Sequence, residues 1–258
     1  MGETFTQPEL ERYARHIIMR EIGGPGQRRL RGAKVLVVGA GGLGSPALIY
    51  LAAAGVGTIG IVDDDVVSLS NLQRQIIHPT RHVGDPKAES AKETLEALNP
   101  HIHVRLHETR LTEENASEIM RPYRLVVDGS DNFETRYLLN KICVARNTTL
   151  VSAALSPWEG QLSVFKPWEG GPCYECVFPE PPADGLVQTC SAAGVLGPLA
   201  GVMGAMIAAE TMKDITLAGR PLKNRMIVYN ALEGETRTFE IERREDCPVC
   251  GGIRRDRY

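Results

Sequence analysis

Short apolar runs alternate with longer stretches of helical period along the first 155 residues. "KVLVV" (34–38) and "TIGIV" (58–62) read as strands, and "PALIYLAAAG" between them reads as a helix. Ahead of them, Thr6 and Glu9 have capping-box spacing, and Leu10, Tyr13, Ala14 and Ile17 share one helical stripe, leaving Arg12 and Arg15 on the other face. Asp85, as a cap with Pro86 at the first position, predicts a helix that carries Lys87 in its first turn. Strands near 102–106 and 125–127, a helix from Asn132 and a strand at "TLVS" follow. Strand and helix in regular alternation predict an α/β fold built on an open, mainly parallel, doubly wound sheet.

Beyond Gly160 the pattern changes. "GQLSVF", "RMIVYN" and "TRTFEIE" read as strands, the last two joined by a short "ALEGE" turn, which predicts an antiparallel extension of the sheet edge. The long uncharged run "LVQTCSAAGVLGPLAGVMGAMIAA" is rich in Gly and Ala and is followed at once by Glu210 and Lys213. It predicts a buried helix beginning near Pro198, not a membrane span. The expected organisation is one domain over 1–258: an N-terminal helical segment (1–32), a nucleotide-binding part (33–155) and an antiparallel, metal-binding part (156–258).

Charge adds an exclusion. With 29 Lys and Arg against 32 Asp and Glu, the net charge of −3 argues against a general nucleic-acid binder. The N-terminus lacks the charged flank and apolar core of a secretory signal, and its myristoylation-like "MGETFT" has no second membrane signal beside it. A cytoplasmic protein with no membrane partner is expected.

The candidate chemistry begins at "GAGGLGS". Gly39, Gly41 and Gly44 stand between a strand and a helix, the arrangement of a Rossmann-like loop that turns backbone amides toward phosphate. Asp63 ends the next strand nineteen residues after Gly44, where a carboxylate takes a ribose hydroxyl. These features fit NAD and ATP equally. "SNLQRQ" then places Asn71, Arg74 and Gln75 beyond that strand's carboxyl end, and a lysine opening a helix opposes the helix dipole, which a bound anion would explain. "VVDGSDN" puts Asp128 and Asp131 at the end of another strand. Cations and a carboxylate around a triphosphate describe nucleotidyl or phosphoryl transfer with Mg²⁺.

Four of the six cysteines form two pairs, Cys173 with Cys176 and Cys247 with Cys250. Two such pairs close a tetrahedral thiolate site, so a structural zinc knuckle is expected. Cys190 follows a stretch rich in Pro and Gly and is open to two readings, a nucleophile or an inert loop thiol. Cys143 lies in an apolar helical pattern and reads as core, while His101, His103 and His107 alternate as the wet face of a strand.

In this order "RYARH", "GAGGLGS", "SNLQRQ", "DPKA", "DGSDN", "CYEC" and "CPVCGG" resemble the adenylyltransferases that activate ubiquitin-like sulfur-carrier proteins, the MoeB, ThiF and HesA group, over nearly the whole chain. The resemblance implies that ATP, not NAD, lies over the glycine loop. It implies that Asp63 holds the ribose, Gly42 and Asn71 line the nucleotide with Asn132 beside them, Arg74 and Lys87 hold phosphates, and Asp131 binds Mg²⁺. Arg15 is similar to the arginine that such homodimers lend to the neighbouring site. The implied reaction is adenylylation of a carrier's C-terminal Gly-Gly carboxylate with loss of pyrophosphate, sulfur coming from a separate donor protein. "SNLQRQIIH" stands nearer the molybdopterin branch than the thiamine or tRNA-thiolation branches. An NAD-dependent oxidoreductase and a catalytically silent scaffold subunit are the rival classes; the first leaves Arg74, Lys87 and Asp131 without a role.

Overall fold

A computed structural model describes residues 4–182 and 193–253. Eight strands form one sheet: β1 (Lys34–Val38), β2 (Thr58–Val62), β3 (His103–His107), β4 (Leu125–Asp128), β5 (Thr149–Leu155), β6 (Glu159–Phe165), β7 (Arg225–Asn230) and β8 (Glu235–Glu240). Their order is β3-β2-β1-β4-β5-β6-β7-β8. Pairing is parallel from β3 to β5 and antiparallel from β5 to β8. The expected parallel half with an antiparallel extension is therefore what forms.

The helices are α1 (Gln7–Ile17), α2 (Gly23–Gly32), α3 (Gly44–Ala53), α4 (Lys87–Leu98), α5 (Glu113–Met120), α6 (Phe133–Arg146), the single turn α7 (Tyr174–Val177) and α8 (Gly197–Thr216). They cover both faces of the sheet, which explains why the central parallel strands β1, β2 and β4 are buried along nearly their whole length, while β3 at the sheet edge keeps polar residues. On β1, Val35 and Val37 join a core with Leu48 and Leu51 of α3 and Met203 and Ile207 of α8. Leu36 and Val38 point the other way, into a core with Met120 of α5 and Leu138 and Leu139 of α6. Close helix packing depends on small residues: a Cβ on Gly204 of α8 would stand 2.2 Å from Pro46 of α3. Among the described residues, no helix is long and apolar enough to cross a membrane.

Local signals held in several places. The Thr6 and Glu9 capping box is formed, and Asn132 caps α6 by accepting from the Thr135 amide at 2.9 Å. The start of α4 differs from expectation. Pro86 is the N-cap residue, without a side-chain cap bond, and the Asp85 carboxylate faces His82 at 3.4 Å instead. The reason is that the chain stays extended through Pro86: Val66 and Pro86 form an isolated bridge, and the Lys87 amide donates to the Asp65 carbonyl. The histidines are not uniformly wet. His103 is exposed, but His107 packs edge-on against Tyr123, and burial holds its imidazole below the usual pKa.

Candidate active site

The sheet order reverses at β1: the chain goes outward to β2 and β3, then returns to place β4 on β1's other side. Loops leaving the carboxyl ends of β1 and β4 therefore diverge and open a crevice, the usual ligand position in such sheets. A cleft of about 510 Å³ lies there, lined by Gly39, Gly41, Gly42, Asp63, Arg74, Lys87, Asp131 and Asn132 among others. Residues 39 to 132 are thus gathered at one end of the parallel half.

The glycines divide by task. Gly39 has φ +93°, and a Cβ there would stand 2.9 Å from the Gly129 carbonyl; a Cβ on Gly44 would reach within 1.8 Å of the Gly39 carbonyl. These two allow the loop to fold tightly onto β4 and α3. A Cβ on Gly41 or Gly42 would meet only side-chain atoms, at 3.6 and 3.4 Å, so their backbone faces the cleft.

Asp63 stands at the end of β2 and accepts from the Ala40 amide at 2.7 Å and the Asp65 amide at 2.9 Å. Burial raises its carboxyl pKa, opposed by those amides and by Lys87. Lys87 opens α4 with its ammonium 2.7 Å from Asp65, so in this structure a protein carboxylate meets the charge that its position led us to assign to an anion. Arg74 lines the cleft and is braced from behind: its guanidinium donates to Asn71 Oδ1 at 3.3 Å. Asn71, which the family resemblance led us to expect against the nucleotide, does not itself line the cleft and reaches it through Arg74.

Asp128 and Asp131 separate cleanly. Asp128 is fully buried and accepts from the Ser130 hydroxyl at 2.6 Å and the Ser152 hydroxyl at 2.7 Å, with Arg136 at 3.8 Å. Its oxygens belong to the fold. Asp131 lies in the cleft wall, is exposed, and makes no hydrogen bond or ion pair with another described residue.

Sequence reasoning passed over Asp65, Arg110, Ser130 and Arg136 as site residues, although they also line the cleft. Arg110 follows β3's carboxyl end and Arg136 sits one turn into the helix after β4, so the strand-end rule applied to every parallel strand would have found both. Arg15 does not line this cleft. It is exposed on α1 with no hydrogen bond or ion pair to another described residue.

Away from the cleft, all four paired cysteines are buried, and their sulfurs lie within 4.8 Å of one another. The nearest Sγ pairs are 3.4, 3.6 and 3.9 Å apart, close to the edge of about 3.8 Å expected for four thiolates around one zinc. Asn140 of α6 accepts from the Tyr174 amide at 2.9 Å, and Arg243 donates to the carbonyls of Gly251 and Ile253. Cys143 is buried, and burial raises its thiol pKa, so it is an inert core residue. Cys190 lies outside the described residues.

Known proteins share this framework. A sulfur carrier protein adenylyltransferase of Thermus thermophilus is 49% identical, the match covering 96% of this chain and 93% of that one. The SAMP-activating enzyme E1 of Haloferax volcanii is 48% identical over 94% of this chain and 89% of its own length. The probable adenylyltransferase/sulfurtransferase MoeZ of Mycobacterium tuberculosis is 48% identical over 96% of this chain but 64% of its own. Among solved structures, Escherichia coli MccB with ATP matches with a TM-score of 0.77 at 25% identity, covering 88% of this chain and 68% of that one. PaaA matches with 0.81 at 23% identity, covering 95% and 77%, and so shares the fold. The protein-family model described as the ThiF family matches residues 13–249. With that cleft and these relatives, the chain is an adenylyltransferase and belongs to the ThiF family.

Proposed function

We propose that the chain uses ATP to adenylylate the C-terminal glycine carboxylate of a ubiquitin-like sulfur-carrier protein, the small subunit of molybdopterin synthase being the favoured target. The observation that carries this reading is the convergence of Gly41, Gly42, Asp63, Arg74, Lys87 and Asp131 on one cleft, in a chain so similar to a sulfur carrier protein adenylyltransferase.

The chemistry follows from charge. A carrier's terminal carboxylate is already ionised at neutral pH, so no general base is required. Its oxygen attacks the α-phosphorus, an O–P bond forms, and the bond to the β-phosphate's bridging oxygen breaks as pyrophosphate leaves. The obstacle is the approach of two anions. Arg74 and Lys87 supply positive charge along the phosphates, with Lys87 exchanging its Asp65 partner for phosphate oxygens. Asp63 accepts a ribose hydroxyl, and Asn132 at the mouth of α6 flanks the nucleotide. Asp131, without a hydrogen-bond or ion-pair partner among the described residues, fits a Mg²⁺ ligand; the ion would neutralise phosphate charge.

Arg15 is free to act across a homodimer, reaching the neighbouring chain's cleft with a planar fork of donors. The four clustered sulfurs fit a structural zinc with every coordination position filled. Cys190 is proposed to serve only a later sulfur-transfer step, with sulfur from a separate donor, so Cys190→Ala keeps adenylylation.

The decisive experiment is exchange of labelled pyrophosphate into ATP with and without purified carriers. Exchange stimulated most by the molybdopterin-synthase subunit supports the full reading. Stimulation by a thiamine or tRNA-thiolation carrier instead moves the substrate within the class, and silence with every carrier overturns the function.

A further inference from the structure

His78 is 5% exposed, and both of its ring nitrogens are engaged. Nε2 lies 2.9 Å from the Ala40 carbonyl oxygen and Nδ1 lies 3.0 Å from the Ser90 hydroxyl. A carbonyl only accepts, so Nε2 carries the proton and donates; in the neutral ring Nδ1 then accepts from Ser90. Burial lowers the imidazole's pKa, which favours that neutral form.

Ala40 is the residue between Gly39 and Gly41. Its amide donates to Asp63 Oδ2 at 2.7 Å while its carbonyl accepts from His78, so both peptide planes around it are held. The carbonyl belongs to the same planar unit as the Gly41 N–H. The Ala40–Gly41 peptide is trans, so the two bonds point in opposite directions. Drawing the Ala40 carbonyl inward to His78 therefore turns the Gly41 N–H outward. Gly41 lines the cleft, and its N–H donates to no other described residue. The Ser90 bond anchors the ring to α4, whose first residue is Lys87.

From these contacts we infer that His78 is a positioning residue for the adenylylation site: through the Ala40 carbonyl it aims the Gly41 N–H at a phosphate of the nucleotide. This rests on the reading of the cleft as an ATP site. The residue itself touches no substrate. Its effect falls mainly on the phosphates, because Asp63 is held by the Asp65 amide and by the Ala40 amide, which lies in the peptide plane before the one His78 holds.

Equilibrium binding of ATP and of adenosine to wild type, His78→Leu and His78→Gln separates positioning from support of the fold. In His78→Leu the ATP affinity falls on the order of tenfold, as for loss of one hydrogen bond to a charged group, while adenosine affinity stays within about twofold. His78→Gln places an amide donor near the Nε2 position and restores ATP affinity to within about threefold. Should His78→Leu fail to fold, Ser90→Ala serves in its place: it frees the tautomer and weakens ATP, again sparing adenosine. Parallel loss of both ligands, unchanged ATP affinity, or no recovery in His78→Gln overturns the inference alone. Wild-type protein that binds no ATP overturns the nucleotide reading and the inference with it.

Discussion

The cleft and the cysteine cluster are both assembled from distant segments, yet they are opposite kinds of site. The cleft gathers charged groups that are braced but incompletely paired: Arg74 is held by Asn71, Lys87 leans on the exposed carboxylate of Asp65, and Asp131 has no hydrogen-bond or ion-pair partner among the described residues. The cysteine cluster is buried and closed, with each sulfur near another and its loops tied by Asn140 and Arg243. A site whose ligands come and go must leave polar groups unsatisfied between turnovers. A site that locks the C-terminal segment to the middle of the chain need not. The difference teaches that incomplete pairing at a strand end is what the proposed working residues share, and full enclosure what the proposed structural site shows.

Removing Asp131 tests the working side most severely. Asp131→Ala is expected to lower pyrophosphate exchange a hundredfold or more, on the order of what comparable electrostatic groups contribute, with an unchanged melting curve. Near-normal exchange in the folded variant would shift the metal role toward Asp128, against the burial seen here. Cys247→Ser should do the reverse, releasing zinc in a metal analysis and lowering the melting temperature by roughly 2–4 °C for each kcal/mol of stability lost. Purified, unchelated wild-type protein without zinc would end the structural-metal reading.

A subtler break places the cleft's last cation on the neighbouring chain. Arg15→Ala and Asp131→Ala proteins should each be nearly inactive alone. After subunit exchange, about half of the dimers are mixed, and each contains one intact site. Roughly a quarter of wild-type activity should return, assuming random mixing and independent sites. Verified exchange that restores nothing would place Arg15 within its own chain's chemistry or outside the reaction.

The smallest expected effect is a pH slope. Burial depresses the His78 pKa in the folded state, so the unfolded chain binds more protons between that lowered value and the ordinary value of 6.5. Stability is therefore complete above 6.5 and lost as pH falls through that window, with a slope of at most about 1.4 kcal/mol per pH unit. Comparing denaturant unfolding of wild type and His78→Gln between pH 5.5 and 7.5, roughly the range around that value, isolates the contribution. Identical slopes would mean that His78 titrates alike in both states.

Much of this molecule was readable in one dimension. The strand and helix alternation, the Asn132 cap, the antiparallel extension and the two cysteine pairs all rest on period or spacing within a few residues. The misread start of α4 shows where such signals stop: Asp85 and Pro86 look like a cap and first turn. The bridge from Pro86 to Val66 keeps the chain extended one residue further. A pairing across twenty residues overrode a local preference.

What the sequence by itself determined was which elements form, in what order, and which residues stand at the carboxyl ends of the parallel strands. Those are local properties, set by apolar period, turn residues and the spacing of glycines and cysteines. Only the tertiary structure decided which of two neighbouring aspartates is free, because Ser152, 24 residues from Asp128, closes one of them. The tertiary structure likewise gave Lys87 its partner in Asp65, brought cysteines 74 residues apart into one cluster, and laid His78 against a carbonyl 38 residues away. Such contacts depend on strand order and on which face each helix covers, and neither leaves a mark on the residues' immediate neighbours in the chain.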